Sequence, residues 1–236
     1  MTDKDMTGGT RLMVDLRQAD QGIPQADGYV VDAGLRRPEH FVEGCEIAVA
    51  SEPAQHQDWL ARPNTVWLAA SLADAVRLRD RHPGLTALPI VGVRKATTSY
   101  SCGDAYPGEG FRCYVPDTTA LRGYLVSDRD LALVDWLHQA TSYGFDAVWL
   151  ASVDAEARGR GFDMEMLDRA RTTFPGRVWL SGGARTPEQI ARLRDEGGTY
   201  AAVLPTGLLE QHDPSLVLAA LGRPAADGQA TETAAA

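Results

Sequence analysis

Asp15 and Asp32 stand where an acid is costly unless it is used. Asp15 falls in Met13–Val14–Asp15–Leu16–Arg17 and Asp32 in Val30–Val31–Asp32–Ala33. A carboxylate inside an apolar strand is unfavourable unless it is paired or sits at the strand's wet end. Asp15 is therefore the stronger candidate for a general acid or base, with a salt bridge to Arg94 or Lys95 as the structural alternative. Asp32 is the weaker one. Asp154 and Glu156 lie in Ser152–Val153–Asp154–Ala155–Glu156–Ala157–Arg158–Gly159–Arg160–Gly161, directly after an apolar run. A carboxylate placed there can exchange protons with a ligand, or the stretch is an exposed charged loop.

Arg94 and Lys95 end another apolar run. Two adjacent cations can bind a phosphate or carboxylate, or stabilise a developing oxyanion. They can equally neutralise Asp15 and Asp32. Lys4 and Lys95 are the chain's lysines, so Lys95 is also a candidate imine-forming amine. Ser181–Gly182–Gly183–Ala184–Arg185–Thr186 follows a run and leads into a helix start. Two glycines there let the backbone approach a ligand and turn N–H groups toward an anion. A tight turn requiring positive φ is the alternative. Thr206, after the last apolar run, joins Ser181, Gly182 and Gly183 as a candidate phosphate ligand. Cys45, Cys102 and Cys113 show no CxxC spacing and no neighbouring histidine, so neither a metal nor another cofactor is implied. The five histidines receive no role, and the five tryptophans are expected to pack the core.

These candidates need a scaffold, and the apolar pattern supplies one. Runs recur at Leu12–Leu16, Tyr29–Asp32, Glu46–Ala50, Val66–Ala70, Pro89–Val93, Ala147–Val153, Val178–Leu180 and Ala201–Leu204. Each is nearly continuous instead of alternating, as parallel strands buried on both faces require. Helix starts punctuate the gaps. Ser71 to Asp74 opens a helix over Leu72–His82. Ser127 to Asp130 opens one over Leu131–Tyr143, with Leu131, Val134 and Leu137–His138 on one face. Thr186–Pro187–Glu188–Gln189 combines an N-cap, a first-position proline and a glutamine three residues after the cap. That helix turns Ile190 and Leu193 inward and stops at Gly197–Gly198, and Asp213–Pro214 starts the last one.

Eight strands alternating with helices predict an α/β fold, a (β/α)8 TIM barrel, with an open doubly wound sheet as the competing architecture. Gln18–Asp27 and Leu35–Gly44 are too irregular or short for full helices, so the N-terminal helices are reduced. The long connection 94–125, rich in glycine and tyrosine, reads as a functional loop. The expected organisation is a flexible 1–10, a single barrel domain over 11–222 and a disordered 223–236.

A formal net charge of −9 argues against nucleic acid or an anionic membrane as partner. Met1–Thr10 is polar, and no apolar run approaches the roughly 18 residues of a membrane span. The chain is expected to be soluble and cytoplasmic.

Residues 147–210 resemble the histidine-biosynthesis sugar-phosphate barrels, the ProFAR isomerase and its cyclase relative, imidazole glycerol phosphate synthase. In that family the sixth strand runs into a Thr-Asp-Ile-x-x-Asp-Gly-Thr-x-x-Gly pattern and the seventh ends in Ser-Gly-Gly. The counterparts here are Ala151–Gly161 and Val178–Trp179–Leu180–Ser181–Gly182–Gly183, followed by Pro187–Glu188–Gln189–Ile190. Asp15 matches the family's first-strand catalytic aspartate. The family's threonine becomes Ala151, its loop aspartate Glu156 and its fifth-strand aspartate Arg94. Its third-strand glycine loop becomes Ala50–Ser51–Glu52–Pro53, and the glycine after its last strand becomes Pro205. The resemblance implies a divergent paralogue acting on a small phosphorylated, sugar-phosphate-like metabolite by acid/base chemistry, in the manner of an Amadori-type isomerase. A lyase or cyclase using Lys95, and a non-catalytic barrel serving as a protein partner, are the alternatives.

Overall fold

The computed structural model describes residues 9–17, 26–96, 123–127 and 131–220. Eight parallel strands form the ring: β1 (Arg11–Asp15), β2 (Gly28–Val31), β3 (Glu46–Val49), β4 (Thr65–Ala69), β5 (Thr86–Lys95), β7 (Ala147–Ser152), β8 (Arg177–Ser181) and β9 (Ala201–Pro205). Neighbours pair in chain order, and β1 pairs with β9 in register from Arg11↔Ala201 to Asp15↔Pro205. That last ladder closes the barrel and rules out the open sheet. One further strand, β6 (Tyr124–Val126), pairs antiparallel with the outer end of β5, Val93–Lys95.

The helices are α1 (Gln57–Leu60), α2 (Leu72–Arg81), α3 (Leu133–Ser142), α4 (Val153–Arg158), α5 (Met164–Thr173), α6 (Pro187–Glu196), α7 (Thr206–Gln211) and α8 (Pro214–Ala220). Ser71 caps α2 by accepting from the Asp74 N–H, and Thr186 caps α6 by accepting from the Gln189 N–H. Both are local signals, and both act as the residue types dictate. The start of α3 differs from expectation. Its N-cap is Ala132, with no side-chain cap, and it buries Leu133, Trp136, Leu137 and Ala140 while His138 is exposed. The isolated bridge Leu125↔Ala132 holds the preceding chain extended against β6, which delays the helix by two residues relative to Leu131. The N-terminal side is lean. The β2–β3 connection carries only a 3-10 turn, Pro38–His40, and the β3–β4 connection a second, Pro53–Gln55, before the four-residue α1. Of the long connection, residues 97–122 lie outside the described ones, as do 1–8 and 221–236.

The strand parity decides what faces the axis. Met13, Val30, Ala48, Leu88, Ala147, Trp149, Trp179, Ala201 and Val203 form one buried cluster drawn from seven of the ring strands. This is the barrel interior, a packed core with no pore. Aromatic rings fill its axis: Trp149 lies 6.3 Å from Trp179, and Trp179 lies 6.2 Å from Tyr200. The N-terminal end is closed by polar groups. Glu46 accepts from Arg11 (2.9 Å) and from the Tyr200 hydroxyl (3.1 Å), and Arg177 pairs with Asp146 (2.9 Å). All five tryptophans are buried.

Candidate functional site

Functional groups of a parallel barrel collect at the C-terminal ends of its strands. Asp15 occupies that end of β1 on the axial parity of Met13. Two residues on, Arg17 folds back over it. Its Nε donates to both carboxylate oxygens (2.9 and 3.2 Å), its Nη2 to Oδ2 (2.6 Å), and its own N–H to Oδ1 (3.1 Å). The guanidinium also lies over the Trp149 ring, 5.5 Å from the centroid. Its pKa is raised, chiefly by the hydrogen bond to Asp15, against an opposing effect of burial, and Glu156 contributes a further favourable field. Asp15 forms its ion pair with Arg17, while the Lys95 ammonium pairs with Glu165.

Below Arg17, the Trp149 Nε1–H donates to the Ser181 hydroxyl (2.8 Å). A strand with Trp149 inward must also turn Ala151 inward, and Ala151↔Ser181 is a ladder pair. Ser181 thus sits on the rim between the barrel interior and the glycine turn. Gly182 and Gly183 have φ of +112° and +80°. A Cβ on Gly182 would fall 2.5 Å from the Ser152 carbonyl oxygen, and one on Gly183 would overlap the Gly161 and Ala155 carbonyl oxygens. The turn geometry requires both glycines. It also leaves donors uncommitted: among the described residues, the N–H groups of Gly183 and Ala184 have no backbone acceptor. The two readings of this turn are compatible, since positive-φ glycines are what turn successive N–H groups toward one point.

The stretch after β7 is not a loop throughout. Ser152 caps α4 by accepting from the Ala155 N–H, and Gly159 ends it in the left-handed region at φ 58°. This turn interlocks with the one after β8. The Gly161 N–H donates to Gly183 O (2.8 Å), and Gln189 bridges both, donating to Gly159 O (3.1 Å) and accepting from the Arg185 N–H (2.7 Å). Thr206 opens α7 directly after Pro205, the strand-final residue paired with Asp15. The Thr206 side chain lies outside the described ones, but its backbone begins a short helix next to the glycine turn.

Several candidates are not brought to this group. Asp154 accepts from the Lys95 backbone N–H, which ties α4 to β5. Lys95 lies on the opposite parity to the axial Leu88 and Ile90, and its ammonium pairs with Glu165 (3.0 Å) over the Tyr124 ring, outside the barrel. Arg94 shares the axial parity. Asp32 is structural: it accepts from the Ser51 hydroxyl (3.0 Å) and the Gly34 N–H (2.8 Å). Ser51, inside the family's phosphate-loop position, is occupied by that bond and by the Ala33 N–H (3.1 Å). Sequence reasoning missed Arg17 and Trp149. The two-residue spacing of Asp15 and Arg17 was the available signal for the first.

Fold and site together define a (β/α)8 barrel with acids, arginines and a glycine turn at its strand ends. Over residues 118–213 the chain matches the family described as histidine biosynthesis protein. It is 42% identical over 79 residues to imidazole glycerol phosphate synthase subunit HisF of Beutenbergia cavernae, covering 32% of this chain and 31% of that protein. The match thus spans about a third of the length of this curated relative. Over its C-terminal part the chain is thus similar to the histidine-biosynthesis proteins, and its closed eight-stranded parallel ring is that of a (β/α)8 barrel. Among the described residues no helix is long and apolar enough to cross a membrane.

Proposed function

We propose that this chain is an enzyme that binds a small sugar-phosphate-like metabolite at the strand ends and isomerises it by proton transfer, as an Amadori-type aldose–ketose isomerase does. The observation that carries this reading is the ion pair of Asp15 with Arg17 at the strand ends, beside a turn with two uncommitted N–H groups. Such chemistry needs one base and one acid flanking the carbon that loses and the carbon that gains a proton. Asp15, paired with Arg17 (2.6 Å), is suited to remove the proton. Glu156, exposed on α4, is suited to deliver one. Arg94 would meet the developing oxyanion from β5. Ser181, Gly182, Gly183 and Thr206 would hold the phosphate, since glycine amides and a helix start attract an anion even in an acidic protein.

The cyclase reading draws on the relative, which is named a synthase subunit, and the same acid pair would serve it. An imine on Lys95 finds no support in the pairing of its ammonium with Glu165. The word subunit in the relative's name also favours a protein partner for this chain.

Two measurements test the proposal. In an amide-resolved NMR titration with inorganic phosphate, the Gly183 and Ala184 resonances are expected to shift. In D2O, aldose and ketose phosphates are expected to gain deuterium at the carbon next to the carbonyl, and Asp15→Asn to abolish this while phosphate still binds. Amides at 182–184 that ignore phosphate would remove the binding site from the proposal. Deuterium exchange that survives Asp15→Asn would remove the base.

A further inference from the structure

We propose that Trp149 is the positioning residue of the site: its buried ring carries the Arg17 guanidinium and so orients the Asp15 carboxylate that Arg17 grips. Its part in proton transfer rests on the reading of Asp15 as the base, whereas the positioning stands on contacts alone.

The pair of Asp15 with Arg17 needs support from outside itself. The two side chains are 23% and 36% exposed. An ion pair open to water gains little Coulomb energy and costs the entropy of holding a long side chain still. Yet the Arg17 Nε donates to both carboxylate oxygens (2.9 and 3.2 Å) and its Nη2 to Oδ2 (2.6 Å). A guanidinium fork and a carboxylate meet in one plane, so whatever orients Arg17 orients Asp15. The indole supplies that orientation. The Arg17 Cζ lies 5.5 Å from the Trp149 ring centroid, and the face of an indole is the strongest aromatic seat for a cation.

That seat is itself fixed. Trp149 is 2% exposed. Its Nε1–H donates to the Ser181 hydroxyl (2.8 Å), which pins one edge of the indole. Its ladder partner Trp179 stands 6.3 Å away, and Trp179 is backed by Tyr200 at 6.2 Å. Three rings in file along a close-packed barrel axis leave the indole little room to turn. Above Trp149, on the same parity, β7 carries only Ala151, so no large side chain of this strand competes with Arg17 for the ring. The bond to Ser181 also ties the start of the glycine turn to the ring that carries Arg17, so one indole joins the acid to the turn.

Heteronuclear NMR of the full chain without ligand tests the positioning, by hydrogen exchange at the Arg17 Nε–H. Trp149→Phe keeps a ring under the guanidinium and is expected to hold that proton within about twofold of its wild-type protection. Trp149→Leu removes the ring and is expected to speed exchange by at least about tenfold. Equal protection in all three chains would overturn the proposal, because Arg17 then stays in place without the ring. Equal loss in both variants would overturn it too, since that is damage to the core. Should Trp149→Leu fail to fold, the cation is changed instead. Arg17→Ala is expected to shift the Trp149 indole Nε1–H resonance and leave that of Trp179 in place, and an unmoved Trp149 resonance would overturn the proposal. Activity is read separately. Where the wild-type chain exchanges deuterium into aldose phosphates, Trp149→Leu is expected to slow this at least about tenfold and Trp149→Phe to retain it. Full exchange in Trp149→Leu with Arg17 released would sink the positioning role. No exchange by the wild-type chain would remove the isomerase reading and leave the Arg17 measurements to decide the positioning alone.

Discussion

Replacing Gly183 by alanine probes the interlock on which the site depends. Gly183 has φ +80°, and its missing Cβ would meet two backbone carbonyl oxygens, of Gly161 and Ala155. An L-residue in the left-handed region costs roughly 1–2 kcal/mol. Displacing backbone, which cannot rotate away as a side chain can, adds about 1–3 kcal/mol. Loss of the bond from the Gly161 N–H to Gly183 O adds about 1 kcal/mol. The expected destabilisation is about 3–6 kcal/mol. Gly84→Ala is the control: φ is +95° and nothing lies within 4 Å of the added carbon, so only the conformational cost of about 1–2 kcal/mol applies. For a domain of this size each kcal/mol moves the melting temperature by roughly 2–4 °C. Gly183→Ala should therefore melt about 5–15 °C below Gly84→Ala, followed by tryptophan fluorescence or calorimetry. Equal melting temperatures for the two variants would refute the interlock. The same arithmetic makes a bulky Gly183 variant a poor functional probe, because it unfolds the site while blocking it.

Other perturbations have equally definite outcomes. A double-mutant cycle between Trp149→Phe and Ser181→Ala should return a coupling of about 1 kcal/mol, and additive effects would deny the Nε1–Oγ bond. The Glu165 carboxyl is held below its ordinary 4.5 by the hydrogen bond from Lys95. It adds stability above that pH and loses it as the pH falls through the lowered value. Glu165→Gln should flatten the acid limb, by under about 1 kcal/mol because the pair is half exposed, and an unchanged limb in urea melts would count against the pairing. Burial pushes the Tyr29 phenol from 10.0 up to about 12. The stability this represents is complete below pH 10 and disappears as pH rises through 12. Tyr29→Phe should lessen the alkaline loss over that window, and identical alkaline melts would show that the phenol ionises freely.

Much of the scaffold was legible because its signals are local. All eight apolar runs are ring strands, since continuous burial on both faces leaves no other use for short β-branched runs. Thr186, Pro187 and Gln189 define the start of α6 within four residues. The cap of α3 was misread because Ala132 is held by a bridge to β6, a contact no local pattern encodes. The short α4 is not visible in the local pattern, because Gly159, which a coil would also use, is its left-handed C-cap.

By itself the sequence determined the eight parallel strands, the capped helices and the acids that end the strands, because burial periodicity and capping act over a few residues. Closure of the sheet into a ring was decided by the pairing of β1 with β9. Only the tertiary structure decided which charges meet. Strand parity sends Arg94 toward the axis and Lys95 away from it, and the backbone after β1 turns Arg17 onto Asp15. Closure of the barrel then brings Glu156, more than a hundred residues distant in the chain, into the field of the same guanidinium. Electrostatic partnership depends on distance in space, and in a closed barrel that distance is set by the register of every strand between the partners.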